Sequence, residues 1–117
     1  MKIKPLKPSQ REKKRYLVFE IISKNKVKQV SDIAKAIWNS MLAFAGEKGA
    51  SQAGIILLKE KFSIAKQKGI IKVNHKMLEI LKSSLILIKE IGKEPVAIQS
   101  VAASGILKKA EKHIKGA

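Results

Sequence analysis

Cysteine is absent from this 117-residue sequence, and aromatic residues make up only 4% of it. Without cysteine, neither a disulfide framework nor a thiolate metal site can stabilise the fold. Hydrophobic residues nevertheless account for 45% of the chain, and its length suits one domain better than two. A domain of this size buries roughly two thirds of the surface that its unfolded chain exposes. We therefore expect one domain held together by apolar packing.

Long apolar runs are also absent. The longest covers residues 53–58, and only if Gly54 is counted, whereas about 20 residues are needed to cross a bilayer. The N-terminus is charged and has no apolar stretch before Leu17, which argues against a secretory signal. These observations predict a soluble, cytoplasmic protein that makes no membrane contact.

Acidic residues are few. Twenty-five Lys and Arg face nine Asp and Glu, which gives a net charge of +16. Such a charge attracts polyanions, most often nucleic acid, with acidic membranes and acidic proteins as alternatives. The excess is greatest at the two ends: residues 1–15 carry +6 and residues 104–117 carry +3. Nearly all the basic residues are Lys and Ile is abundant, a bias that an AT-rich genome or a hot habitat also produces.

The pattern of apolar residues predicts the order β-α-β-β-α-β followed by a helix. Residues 1–14 show no helical or strand periodicity of apolar residues, and we interpret them as a flexible basic arm. We interpret residues 15–117 as a single domain. Two features support the order: alternation in the first strand, and Ser31 as N-cap of the first helix with Asp32 in its first turn. This is the order of ferredoxin-like (RRM-like) α+β sandwiches, in which two helices cover a four-stranded antiparallel sheet. The predicted elements are strands at 15–23, 53–62, 70–74 and 95–103, and helices at 31–45, 76–91 and 105–115.

The residues that catalysis requires are scarce. Asp32 is the one Asp, and it stands where a helix start favours an acid. His75 and His113 are far apart in the sequence. We interpret His75 as a capping or surface residue and His113 as an exposed polar residue. Most Glu neighbour Lys, as solvated ion pairs do, and no phosphate-binding glycine motif occurs. We expect a chain that is not catalytic by itself and that binds no metal or cofactor.

The basic ends are the predicted binding surface. The first and last strands of this topology often lie close together, so the two ends would merge into one patch that contacts RNA, although charged tails can also serve solubility alone. The start of the last helix could bind a phosphate through its free N–H groups, or Ser104 could simply cap that helix. The candidate RNA-binding residues are Lys13, Lys14, Arg15, Ser104, Gly105, Lys108, Lys109 and Lys112.

A protein interface is predicted from surplus apolar residues. Many RNA binders of this topology stack bases on aromatics of the central strands, but here only Tyr16 is available. Phosphate and shape recognition of a folded RNA is therefore favoured. Apolar residues on the outer face of the first strand and on a second seam of the second helix suggest contacts with other proteins. These residues are Val18, Ile22, Ile80, Leu87 and Ile91.

Several short motifs follow one another in a characteristic order along the chain. They are RYLVFEI at 15–21, Ile37-Trp38 with Ser40 and Leu42, Gly46-Glu47-Lys48-Gly49, KGIIKV at 68–73, and Ser104-Gly105-Ile106-Leu107-Lys108. This ordered set resembles the archaeal and eukaryotic ribonuclease P component 2 family, and the match runs from about residue 11 to residue 110. The family pattern commonly has Thr after the Ser-Gly pair of the last motif, where this chain has Ile106.

The resemblance implies a subunit of an RNA-based endonuclease that removes the 5′ leader of precursor tRNA. It implies that the catalytic groups and their Mg²⁺ belong to the RNA subunit. It also implies pairing with ribonuclease P protein component 3, contacts with other protein subunits, and self-association. Two alternatives come from the residues alone: a structural ribosomal or chromatin-type basic protein, and a small ligand-binding or acyl-phosphate-hydrolysing domain, which the charge and the missing phosphate loop disfavour.

Overall fold

The computed structural model describes residues 13–115, so most of the predicted arm lies outside the described residues. None of the helices in this part of the chain has the length and apolar character needed to cross a membrane. The elements are, in chain order, β1 (Lys14–Ser23), α1 (Val30–Ala53), β2 (Ile56–Leu57), β3 (Lys68–Asn74), α2 (Leu78–Ile86), β4 (Glu90–Ile91), β5 (Glu94–Ser104) and α3 (Leu107–Lys115), with single 3₁₀ turns at Lys59–Lys61 and His75–Met77.

The sheet is antiparallel with the order β2-β3-β1-β5-β4. The α+β class is as predicted, but the described sheet has five strands and the prediction of four was wrong. The additional strand, β4, pairs only through Glu90 and Ile91 with the start of β5. A two-residue turn makes this hairpin, and Gly92 takes the positive φ of 63° that such turns require.

Helices cover both faces of the sheet, which gives three layers. On one face, α1 and α2 pack on the inward residues of β1, and this main core includes Leu17, Phe19 and Ile21. On the other face α3 covers a smaller cluster that contains Val18 and Ile70. Because side chains alternate along a strand, Leu17, Phe19 and Ile21 point into the main core while Val18 points into the smaller one. The predicted alternation of the first strand is therefore confirmed.

The first helix is longer than predicted. Gly46 does interrupt it, with φ 77° and ψ 171°, but a second helical segment continues to Ala53. Ala50 and Ala53 bury one side of that segment, and Gly54 then ends it in the left-handed conformation. The prediction of a strand over 53–62 was wrong, because only Ile56–Leu57 pair in the sheet.

The second helix is shorter than predicted. It ends at Ile86 instead of residue 91, and the chain then turns into β4. Ile88 and Ile91 are still buried in the main core. They reach it from outside the helix, Ile88 from the turn that follows it and Ile91 from β4. In the sequence, however, their spacing is the same as that of apolar residues on a helix face. The strands predicted at 15–23, 70–74 and 95–103 correspond to β1, β3 and β5.

Candidate nucleic-acid interface

The two basic ends of the described chain meet where β1 begins and β5 ends. The register pairs Tyr16 with Ser104, which places Arg15 beside Gly105. A Cβ added to Gly105 would lie 2.9 Å from Nη1 of Arg15. The guanidinium therefore lies directly over the glycine that precedes α3, and the predicted juxtaposition of the first and last strands is confirmed.

Helix α3 turns its lysines towards solvent. Ala110 and Ile114 are buried against the sheet, and Leu107 is partly buried with them. This spacing of three and four residues is that of an amphipathic helix on a core. The lysines of the opposite side, all exposed, are Lys108, Lys109 and Lys112.

The short link between β5 and α3 is fixed by Ser104. Its Oγ accepts a hydrogen bond from the backbone N–H of Ile106 at 3.1 Å, one residue before α3 starts. Ser104 therefore orders the approach to the helix, and the first backbone N–H groups of α3 stay outside the intrahelical ladder. With Arg15 over Gly105, these N–H groups and the α3 lysines make an electropositive surface that is suited to phosphate.

Lys13 and Lys14 are exposed but differ in their surroundings. The carbonyl oxygen of Lys13 accepts the backbone N–H of His75 at 2.9 Å, which joins the start of β1 to the end of β3. The Nζ of Lys14 lies 3.8 Å from where a Cβ on Gly54 would be. That position is the C-terminal end of α1, where the helix dipole favours a cation.

Three other lysines hold α3 in place, which sequence reasoning missed. Lys61 pairs with Glu111 at 2.9 Å. Lys66 donates to the carbonyl of Ile114 at 2.6 Å, and Lys68 to that of His113 at 3.4 Å. A helix C-terminus attracts cations, but the sequence gives no signal for these contacts because they join residues more than 40 positions apart.

The predicted protein-interface residues are divided by the fold. Ile22, Leu87 and Ile80 are exposed to 51%, 56% and 36%, so they remain available for contacts. Val18 is completely buried beneath α3, and Ile91 is 2% exposed in the main core. Assigning those two residues to an interface was wrong, because the chain covers them itself.

The side chains that could do chemistry are not brought together. Asp32 lies in the first turn of α1, His75 at the end of β3, and His113 on α3. Within residues 13–115 no group of three or more His, Cys, Asp or Glu is placed to hold a metal ion. Among the described residues, the side chains that the fold does bring together on the surface are Arg15 and the lysines of α3.

Comparisons with known proteins identify relatives of this chain. Residues 15–115 match the Rpp14/Pop5 family. The protein called Ribonuclease P protein component 2 of Pyrococcus furiosus is 35% identical over 106 residues, which cover 91% of this chain and 86% of that protein. The protein of the same name from Thermococcus kodakarensis is 32% identical over 92% of this chain and 88% of its own length. The one from Methanocaldococcus jannaschii is 33% identical over 93% of this chain and 78% of its own length.

A solved structure shares the fold. A chain in the cryo-EM structure of yeast Ribonuclease MRP superposes with a TM-score of 0.62, over 90% of this chain and 88% of that one. The sequence identity is 13%, so this similarity concerns the fold alone.

Proposed function

The chain belongs to the Rpp14/Pop5 family, and we propose on that premise that it is a protein subunit of ribonuclease P. It binds the catalytic RNA and supports the cleavage that removes the 5′ leader from precursor tRNA. The observation that carries this proposal is the joined basic surface, where Arg15 lies over Gly105 and the exposed α3 lysines stand beside it.

The contribution of the protein is electrostatic. RNA segments that pack closely repel each other through their phosphates, and protein cations that replace condensed counterions reduce that repulsion. Lysines on a docked helix are already positioned, so less conformational entropy is lost when RNA binds. In this proposal the chemical step and its Mg²⁺ belong to the RNA, and the chain itself needs no metal or cofactor.

Protein partners fit the remaining exposed apolar residues. Ile22, Ile80 and Leu87 suit contacts with ribonuclease P protein component 3, with other subunits, or with a second copy of the chain. The fold that supports these surfaces is assigned to the ferredoxin-like class, since omitting β4 leaves the order β2-β3-β1-β5. We propose that the ribonuclease P complex that contains this chain acts in the cytoplasm.

The RNA that the chain binds in cells tests the proposal. A tagged chain is purified from its own organism at moderate salt, and the bound RNA is sequenced. Strong enrichment of ribonuclease P RNA over total RNA is expected. Enrichment of ribosomal RNA alone, or recovery of duplex DNA, would instead indicate a ribosomal or chromatin protein. The double variant Lys108→Ala/Lys109→Ala should recover less of the same RNA.

A further inference from the structure

The loop between β1 and α1 is anchored at alternate residues. Asn25 is held by the carboxylate of Glu94, which accepts both its backbone N–H and its Nδ2, each at 3.2 Å. Ser23 adds a hydrogen bond from its Oγ to the Asn25 carbonyl at 2.6 Å. One anchor therefore fixes the loop to the start of β5.

A second anchor holds Val27 two residues later. The side chain of Gln67 accepts the N–H of Val27 at 2.8 Å and donates to its carbonyl at 3.0 Å. A further bond to the carbonyl of Ile64, at 2.8 Å, orients the same amide. Gln67 is buried and has a positive φ of 54°, a conformation that non-glycine residues adopt at a cost.

Lysines alternate with the two anchored residues, Asn25 and Val27. Lys24, Lys26 and Lys28 are all exposed, while Val27 is buried among them. The ion pairs found in the described chain join Lys61 to Glu111 and Lys82 to Glu79, and none of them involves a lysine of this loop. We refer to Lys24, Lys26 and Lys28 as the lysine loop.

The acidic groups around the lysine loop are few. The Glu94 carboxylate bonds to Asn25, and Asp32 stands in the first turn of α1. The helix begins at Val30, so Gln29 and not the predicted Ser31 is its N-cap, and the Gln29 side chain makes no capping hydrogen bond. The positive dipole end of α1 therefore adds to the field of the lysines. Three exposed lysines thus outnumber two carboxylates, and this local excess of positive charge suits a phosphate.

We propose that the lysine loop is a second phosphate-binding site for RNA, separate from the joined basic surface at Arg15 and α3. The two sites lie at opposite ends of β1, and Lys24 follows Arg15 by nine positions, which in a strand corresponds to about 30 Å. Two phosphate sites this far apart allow the chain to bridge two RNA segments, and bridging is part of the proposal. This inference rests on the proposed RNA-binding function and adds a site that the charge at the chain ends did not predict.

The salt dependence of RNA binding tests the site directly. The probes are ribonuclease P RNA and, separately, an unrelated tRNA transcript. Each phosphate contact contributes about 0.7–0.9 to the log–log slope. The triple variant Lys24→Ala/Lys26→Ala/Lys28→Ala should therefore lower the slope by about 2.1–2.7. The matched variant Lys48→Ala/Lys59→Ala/Lys82→Ala loses the same charge elsewhere and should change it far less. Equal slopes for the two variants would overturn the proposal.

The anchors are tested by Gln67→Asn. Asn tolerates a positive φ but is one methylene too short to bond both groups of Val27. All charges remain, so the salt slope should stay the same while the affinity falls about threefold to tenfold, as the loop must be ordered on binding. Circular dichroism checks the fold. An unchanged affinity in a folded variant would show that Gln67 does not position the lysines.

Site-directed RNA cleavage separates this inference from the proposed function. Because the chain has no cysteine, Lys26→Cys and Lys109→Cys each give one attachment point for an iron chelate that cleaves nearby RNA. Bridging predicts two distinct sets of cuts in the bound RNA. One shared set would contradict bridging. Two sets in an RNA other than that of ribonuclease P would keep the bridging inference and reject the proposed function.

Discussion

Gly69 lies on β3 opposite Phe19, where two aromatic rings leave no room for a side chain. A Cβ at Gly69 would lie 2.8 Å from Cδ1 of Phe62 and 2.9 Å from Cζ of Phe19. The rings stack with centroids 6.3 Å apart, and Phe19 is completely buried. The glycine thus lets β3 approach the ring of its partner strand.

Gly69→Ala should destabilise the fold by about 1–3 kcal/mol, the usual cost of overpacking a core. Gly105→Ala is the matched control, because its Cβ would meet only the far end of the long Arg15 side chain, which can shift at little cost. Urea denaturation of both variants measures the difference. A Gly69→Ala protein as stable as the wild type would show that the rings move aside without cost.

Two of the proposed RNA contacts, Lys108 and Lys109, can be tested as phosphate ligands. Replacing both with Ala should lower the salt slope of RNA binding by about 1.4–1.8, since each phosphate contact contributes about 0.7–0.9. Fluorescence anisotropy across a range of salt concentrations gives the slope. The double variant Lys48→Ala/Lys59→Ala has the same net charge and serves as the control. If both double variants gave the same salt slope, Lys108 and Lys109 would not be phosphate ligands.

At the scale of elements, α3 depends on a small apolar contact. Ile114 is 7% exposed and shares the second core with Val18 and Ile70. Ile114→Ala should destabilise the protein by about 2 kcal/mol, at the low end for such truncations because the site is near a chain end. Ile106→Ala, at a position that is 53% exposed, should cost much less.

Loosening α3 should also weaken RNA binding. The lysines of α3 are positioned only while the helix is docked, so Ile114→Ala should lower the affinity several-fold while the charge stays the same. Amide hydrogen exchange of residues 107–115 reports the docking. Wild-type exchange rates together with a lowered affinity would contradict this link.

The sequence predicted some elements better than others, and the reasons are physical. The long strand β1 alternates between residues of the main core and residues of the opposite face, and that period identified it correctly. The apolar run at 53–58 was misassigned because helical burial of Ala53 and pairing of Ile56–Leu57 leave the same apolar signature. The end of α2 was missed because Ile88 and Ile91 enter the core from outside the helix.

The candidate site was predicted in part for a related reason. The charge at the chain ends and the expected strand order predicted that the two basic ends, which contain Arg15 and Gly105, lie side by side. The anchors of the lysine loop could not be predicted, because they join Val27 to Gln67 and Asn25 to Glu94, residues distant in the sequence. The alternation of Lys24, Lys26 and Lys28 around the apolar Val27 was the one local signal of that loop.

At the scale of the whole molecule, a three-layer fold presents cations at both ends of its central strand. The chain carries +16, a self-repulsion that a polyanion relieves. Because RNA binding stabilises the native state by mass action, bound ribonuclease P RNA should raise the thermal midpoint of the protein. The shift should shrink as salt is added, and differential scanning fluorimetry measures it. A shift insensitive to salt would contradict an electrostatic origin.

The rate of precursor tRNA cleavage by ribonuclease P RNA at low Mg²⁺ tests the central claim most directly. We predict that this chain, added with protein component 3, accelerates release of the 5′ leader, and that the chain freed of nucleic acid releases none. No acceleration in that mixture, or cleavage by the protein alone, would contradict the claim that this is a supporting subunit of an RNA-based enzyme.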